Sequence, residues 1–234
     1  MMRILLAIIL LVVLYFLFCY YRIKKAYSLA EFTYANWADF GNKSNKKFRL
    51  FIAGDSIGTG VGATCFENSV AGRIAIYLAK KYQVMLKNAS VNGSKVKNLL
   101  SIKIPEEKQS LTVIFISSND LIRFTNLNDF KENAAKALEK FSKFSGKIIV
   151  IGPGNVWLAK FLPLPLRIIY LLRGPKYADA LKEASAKFRN AIYINSLTPS
   201  KSLGKYRQSY YSSDKFHPND EGYKFWFEMV KEYL

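Results

Sequence analysis

Histidine is almost missing from this chain: among 234 residues there is only His217. Any chemistry that needs an imidazole base must run through that one ring. Cysteine is nearly as scarce. Cys19 lies inside an apolar run and Cys65 stands far away, so the sequence offers neither a disulfide framework nor zinc-ligand spacing. No metal or organic cofactor is expected. Acids are few as well, 17 against 35 basic residues, which leaves a formal net charge of +18. Such an excess attracts phosphate, whether of nucleic acid or of an anionic membrane surface. No nucleic-acid-binding signature accompanies the charge, and the tyrosines and phenylalanines are scattered, so no nucleic acid partner is expected.

What the chain does have is one long uncharged run. Ile4 to Tyr21 carries no charge and is about the length of a bilayer-spanning helix. Aromatic side chains (Tyr15, Phe16, Phe18, Tyr20, Tyr21) crowd its C-terminal end as an interfacial belt would. A cleaved signal peptide would have a shorter apolar core and a small-residue site directly after it. Arg22, Lys24 and Lys25 follow instead, so the run is read as an uncleaved anchor. Those cations outweigh Arg3 and the amino terminus, which favours a cytoplasm-facing domain. With an anchor present, an anionic lipid surface is the economical partner for the basic excess.

The expected organisation is an anchor at 1–25, a polar linker at 26–47 and one domain at 48–234. Within the domain, β-type runs near 48–53, 84–88, 111–117, 147–151 and 191–194 alternate with helical stretches near 67–82, 94–101, 129–143, 175–189 and 220–233. That alternation predicts a three-layer α/β/α domain around about five parallel strands. The apolar, proline-punctuated stretch Trp157–Leu172 breaks the rhythm. It is read as ordinary buried packing or as a loop-plus-helix at the mouth of the site that contacts lipid or cradles an acyl chain, with Trp157, Phe161, Leu162, Leu166 and Ile169 as substrate-contact candidates.

Gly54-Asp55-Ser56-Ile57-Gly58 follows the first of these strands and fits a G-x-S-x-G elbow. In α/β-hydrolases, however, the nucleophile follows several strands. Gly58-Thr-Gly60-Val-Gly62-Ala63 also fits a dinucleotide fingerprint, but no acid closes the second strand to hold a ribose. A serine hydroxyl needs a base, and an imidazole needs a carboxylate to fix its tautomer. His217 has Asp214 three residues before it. Ser56, Gly93 and Asn119 each follow a different strand, at the edge where open parallel sheets bind ligands. The N–H groups of Ser56 and Gly93 and the amide of Asn119 can there converge on one oxygen.

Taken in order, Gly54-Asp55-Ser56, the glycine of Asn92-Gly93, Asn119-Asp120 and Asp214-x-x-His217-Pro218 resemble the four blocks of the SGNH (GDSL) hydrolase superfamily. The resemblance spans about 48–233. Ile57 stands where leucine is usual and Ser117 where the family usually has glycine. Phe161–Arg167 is similar to a proline-rich segment of some bacterial members. The resemblance implies a serine esterase or lipase with Ser56 as nucleophile, His217 as base and Asp214 as its orienter. It also implies an oxyanion hole of Ser56, Gly93 and Asn119, with Asp55 and Asp120 in supporting positions. A lipid or lysophospholipid ester is the expected substrate. The alternatives are an O-acetyl esterase acting on cell-envelope carbohydrate and, outside enzymes, a membrane-tethered basic binding module.

Overall fold

The computed structural model describes residues 2–28, 35–159, 162–198 and 209–234. Helix α1 (Met2–Ser28) contains the apolar run. Its stretch Ile4–Arg22, 19 residues, is long and apolar enough to cross a membrane, and at ~1.5 Å per residue it reaches roughly the thickness of a bilayer core. Leu5, Leu10, Leu14 and Phe18 are exposed on it.

The sheet has six strands: β1 (Trp37–Phe40), β2 (Lys47–Gly54), β3 (Gln83–Asn88), β4 (Gln109–Phe115), β5 (Ser145–Ile151) and β6 (Ala191–Ile194). Their order is β1-β3-β2-β4-β5-β6. Strands β2 to β6 pair in parallel, and β1 lies antiparallel on β3. The central strands read as nearly continuous apolar runs (Leu50-Phe51-Ile52-Ala53, Leu111 to Ile116, Ile148 to Ile151) and are buried, as expected when both faces of a parallel sheet are covered.

Helices α5 (Leu127–Phe144) and α6 (Leu164–Ser185) cover one face, with Phe130, Phe141, Tyr170 and Tyr177 in the core. Helices α3 (Val70–Ala79) and α7 (Asp220–Lys231) cover the other, around Ile74, Tyr223 and Trp226. The short helices α2 (Ser56–Thr59) and α4 (Ser118–Ile122) follow β2 and β4 directly.

Three expectations shift. Residues 26–47 are not all linker: α1 runs to Ser28, and Trp37–Phe40 forms the edge strand, so the sheet begins before residue 48. That strand has only four residues, and its alternation places Ala38 and Phe40 against the core while Trp37 stays outside beneath the Lys87 ammonium, 4.5 Å from the ring centroid. The stretch 96–101 is a 3-10 helix. The helix expected from 175 starts at Leu164, because Pro163 and Pro165 sit at its N-terminus, where a missing N–H costs nothing. Its periodicity is hidden because both of its faces are apolar.

Candidate functional site

The parallel order turns at β2, whose neighbours β3 and β4 leave in opposite directions. In open α/β sheets the crevice beyond such a switch point is where ligands bind. Gly54 ends β2 at φ 140°, and a Cβ there would lie 1.9 Å from the Phe115 carbonyl oxygen, so only glycine lets β2 pass this close to β4. The next residue bonds to that same carbonyl (Asp55 N to Phe115 O, 2.9 Å) and caps α2, its Oδ1 accepting the Ile57 N–H at 3.0 Å. Ser56 is thereby fixed as the first residue of α2.

His217 arrives from the far end of the chain on a tight loop. Tyr211 bridges Pro218, and the Ser212 N–H donates to the His217 carbonyl at 2.8 Å. Asn219 then caps α7 by accepting the Gly222 N–H at 3.0 Å. Hydrogen bonds from the start of α7 tie this loop to the serine loop: the Tyr223 hydroxyl donates to the Val61 carbonyl at 2.7 Å, and the Thr64 hydroxyl and N–H donate to Asp220 at 2.6 and 2.9 Å. The result is a line of three side chains. Nε2 of His217 lies 2.9 Å from Oγ of Ser56, and Nδ1 lies 2.5 Å from Oδ2 of Asp214. Burial alone would raise the Asp214 pKa. The hydrogen bond and charge of His217, with the N–H groups of Phe216 and His217, hold it below the ordinary carboxylate value.

Asn119 sits in α4 at the end of β4, and Gly93 lies in the turn after β3 at φ 76°. Ser56, Gly93 and Asn119 line one cavity of about 280 Å³. Among the described residues, no protein acceptor takes the N–H of Ser56, the N–H of Gly93 or the side-chain amide of Asn119. Two buried acids stand behind them. Burial pushes Asp55 up to about 7, and the charge of Asp120 adds to this against the Ile57 hydrogen bond. Burial also pushes Asp120 up to about 6, against the Val96 N–H that its Oδ2 accepts at 2.8 Å. That bond ties α4 to the 96–101 3-10 helix, so both acids brace the segments that carry the unengaged donors.

The apolar wall differs from expectation. Among the described residues of the 157–172 stretch, only Ala159 lines the cavity, beside Val156 just before it; Trp157, Leu162, Leu166 and Ile169 do not. The Trp157 ring packs on Gly174, Leu162 and Leu166 belong to the core under α6, and Ile169 is exposed. Phe161 lies outside the described residues. Ile57, Val61, Ile122, Phe216, Pro218 and Trp226 supply further apolar lining. Arg123 also lines the cavity, with Nη2 3.0 Å from where a Cβ on Gly93 would stand. Only its place four residues after Asn119, one turn of helix on, hinted at this. Among the described residues no group of three or more His, Cys, Asp or Glu could hold a metal ion.

Comparison with known proteins agrees with this architecture. An acetylxylan esterase from Geobacillus stearothermophilus, solved as a catalytic mutant, superposes with a TM-score of 0.62 at 16% identity, over 82% of this chain and 96% of its own. A lipolytic protein of the G-D-S-L family from Veillonella parvula gives 0.60 at 17% identity, over 79% and 97%. The structure of TesA gives 0.61 at 20% identity, over 79% and 96%. No curated protein sequence matches the chain. The model of the GDSL-like lipase/acylhydrolase family matches residues 52–225, from within β2 to within α7. The chain belongs to the GDSL-like lipase/acylhydrolase family and is a carboxylic ester hydrolase of the SGNH type.

Proposed function

We propose that the protein is a membrane-anchored serine esterase that hydrolyses lipid or lysophospholipid esters through an acyl-enzyme on Ser56. The observation that carries this is the hydrogen-bonded line Asp214–His217–Ser56 beside a cavity with three unengaged N–H donors. His217 Nε2 takes the Ser56 proton as Oγ attacks the ester carbonyl. The N–H groups of Ser56 and Gly93 and the Asn119 amide receive the negative charge on the carbonyl oxygen. Collapse of the tetrahedral species breaks the ester C–O bond, and His217 protonates the departing alkoxide. Water then attacks the acyl-enzyme, giving its proton to His217, and the acid leaves as Ser56 is restored. Asp214 keeps Nδ1 protonated throughout, so that Nε2 takes up each proton and gives it back, the second time to Ser56 Oγ.

Three features support a lipid-like substrate. Residues 4–21 of α1 have the length and apolarity of a bilayer span, the chain is strongly basic, and the Arg123 guanidinium lines the cavity, where it can meet a phosphate on the substrate. The flanking charges Arg22, Lys24 and Lys25 favour a domain on the cytoplasmic side under the positive-inside rule. A cytoplasmic domain is protected from protease added to intact spheroplasts; its digestion there would reverse the orientation. The second reading, an O-acetyl esterase on cell-envelope carbohydrate, takes its support from the acetylxylan esterase among the fold neighbours. Hydrolysis of nitrophenyl esters from acetyl to palmitoyl by the full chain in detergent, beside its Ser56→Ala variant, tests both. Preference for long chains, lost in the variant, supports the lipid reading; activity confined to acetyl supports the other.

A further inference from the structure

Among the described residues, nothing covers one apolar face of helix α6. Leu164, Ile168, Leu171 and Leu172 are 62%, 49%, 48% and 66% exposed, with Ile169 at 38% beside them. Their spacing puts them on one side of the helix, while Tyr170, Gly174, Tyr177 and Leu181 face inward and are buried. Outside α1, these five residues are most of the large apolar side chains exposed among the described residues; of the others, Phe124 lies against α6, 5.6 Å from the Tyr170 ring, and Trp37, Ile76 and Val91 are scattered. Scattered singles are ordinary on a soluble surface, whereas a contiguous patch marks an interaction site.

We infer that this face of α6 docks on the surface of the bilayer that α1 crosses, and holds the cavity next to the lipid. The inference rests on reading α1 as a span. Two features select a bilayer over a protein partner. Residues 29–36, between α1 and β1, reach at most ~28 Å even when fully extended, so the domain stays within reach of that bilayer. The excess of cations complements anionic headgroups, and the patch itself holds no acid: Asp179 is the first after it on α6. The patch is also joined to the site. The Tyr170 hydroxyl donates to the carbonyl of Ile122, a cavity residue, at 3.2 Å. Arg173 donates to the Thr125 carbonyl at 3.3 Å and lies 5.5 Å over the Phe124 ring. Loop 122–125 therefore links the α6 face to the cavity wall.

The test places an environment-sensitive nitrobenzoxadiazole label on the full chain in phosphatidylcholine/phosphatidylglycerol vesicles, after replacing Cys19 and Cys65 with alanine. Labels go at Ile168→Cys and Leu172→Cys, with Ile76→Cys on α3, in the opposite layer, as the control. Labels at 168 and 172 are expected to emit at shorter wavelength. They should also be quenched by lipids brominated at shallow positions, as for a helix seated about 5–10 Å into the headgroup boundary; the label at 76 should do neither. Emission from 168 and 172 as water-like as that from 76 overturns the inference. So does emission protected from water but not quenched by lipid, which means that a second copy covers the face. A chain that fails to float with the vesicles overturns the span and the docking together. In addition, the double variant Ile168→Glu, Leu172→Glu should hydrolyse a vesicle-resident long-chain ester on the order of tenfold more slowly, with soluble nitrophenyl acetate unchanged. Equal rates on the vesicle ester count against docking. If neither protein cleaves any ester, the proposed chemistry fails, and the labels still report on docking.

Discussion

Asp214 grips His217 at two points. Its Oδ2 meets Nδ1 of the ring at 2.5 Å, while its Oδ1 accepts the backbone N–H of the same histidine at 2.9 Å. The first contact fixes the tautomer and the second fixes the loop, and the N–H of Phe216 and the hydroxyl of Ser212 share that second oxygen. Asp214→Asn separates the two roles. An amide oxygen still accepts from the backbone, but an amide NH2 cannot accept from Nδ1–H. The expected outcome is a loss of roughly 10³–10⁴ in kcat with the thermal midpoint nearly unchanged. Steady-state kinetics with a thermal melt checks this; a tenfold loss or less would separate Asp214 from catalysis.

The buried acids make stability depend on pH in an unusual direction. Asp55 has an ordinary value of 3.8 and sits at about 7 in the folded chain, so between those values the folded state binds the extra proton. The slope of stability with pH is then negative: the contribution of Asp55 declines from about pH 4 to about pH 7. Asp214, held low, acts oppositely, and its contribution is lost as pH falls through its folded value. Asp55→Asn keeps the Oδ1 acceptor and removes the titration. Its advantage over wild type in chemical denaturation should therefore widen from pH 5 to pH 7, by up to ~1.4 kcal/mol per pH unit. A constant difference would mean that Asp55 is ionised throughout.

Ser117 bears strain. It has φ 97° and ψ −17°, is fully buried, and its hydroxyl has no hydrogen-bond partner. A left-handed conformation costs a residue with a Cβ about 1–2 kcal/mol, and an unsatisfied buried hydroxyl about 1–3 kcal/mol. Glycine avoids both but adds up to ~1 kcal/mol of unfolded-chain entropy. Ser117→Gly should thus stabilise the chain by about 1–4 kcal/mol, read as a higher denaturation midpoint at unchanged m-value. Destabilisation would mean that the hydroxyl has a partner in solution.

Arg123 should set preference by charge. Replacing it with glutamine should lower kcat/KM on the order of tenfold for an ester whose alcohol carries a phosphate, the worth of one charge-assisted hydrogen bond. Nitrophenyl acetate should be affected little. Comparison of the two substrates across wild type, Arg123→Gln and Arg123→Lys checks it, with lysine restoring part of the preference. Equal losses on both substrates would make Arg123 a support for the loop instead.

The parallel strands and the helices between them were legible because their apolar runs are long and their alternation is regular. The meeting of Ser56 with His217 followed from chain order: each block ends a strand or precedes a helix at one edge of the sheet. Strand β1 was hidden by its length, since Trp37–Phe40 has only two inward positions. The start of α6 was hidden by its prolines and by an outer face as apolar as its inner one. Hydrophobicity also marked Trp157, Leu162, Leu166 and Ile169 as cavity residues, but the fold turns them into the core or out to the surface. Arg123 carried no pattern, because a single cation becomes part of a site only when a turn of helix brings it beside Gly93.

The most direct measurement is the intact mass of the full chain after treatment with a fluorophosphonate, followed by mapping of the modified peptide. The expected result is one adduct, on Ser56, absent from Ser56→Ala and formed far more slowly in His217→Ala. Hydrolysis that survives Ser56→Ala, or a label that settles on another residue, contradicts Ser56 as the nucleophile.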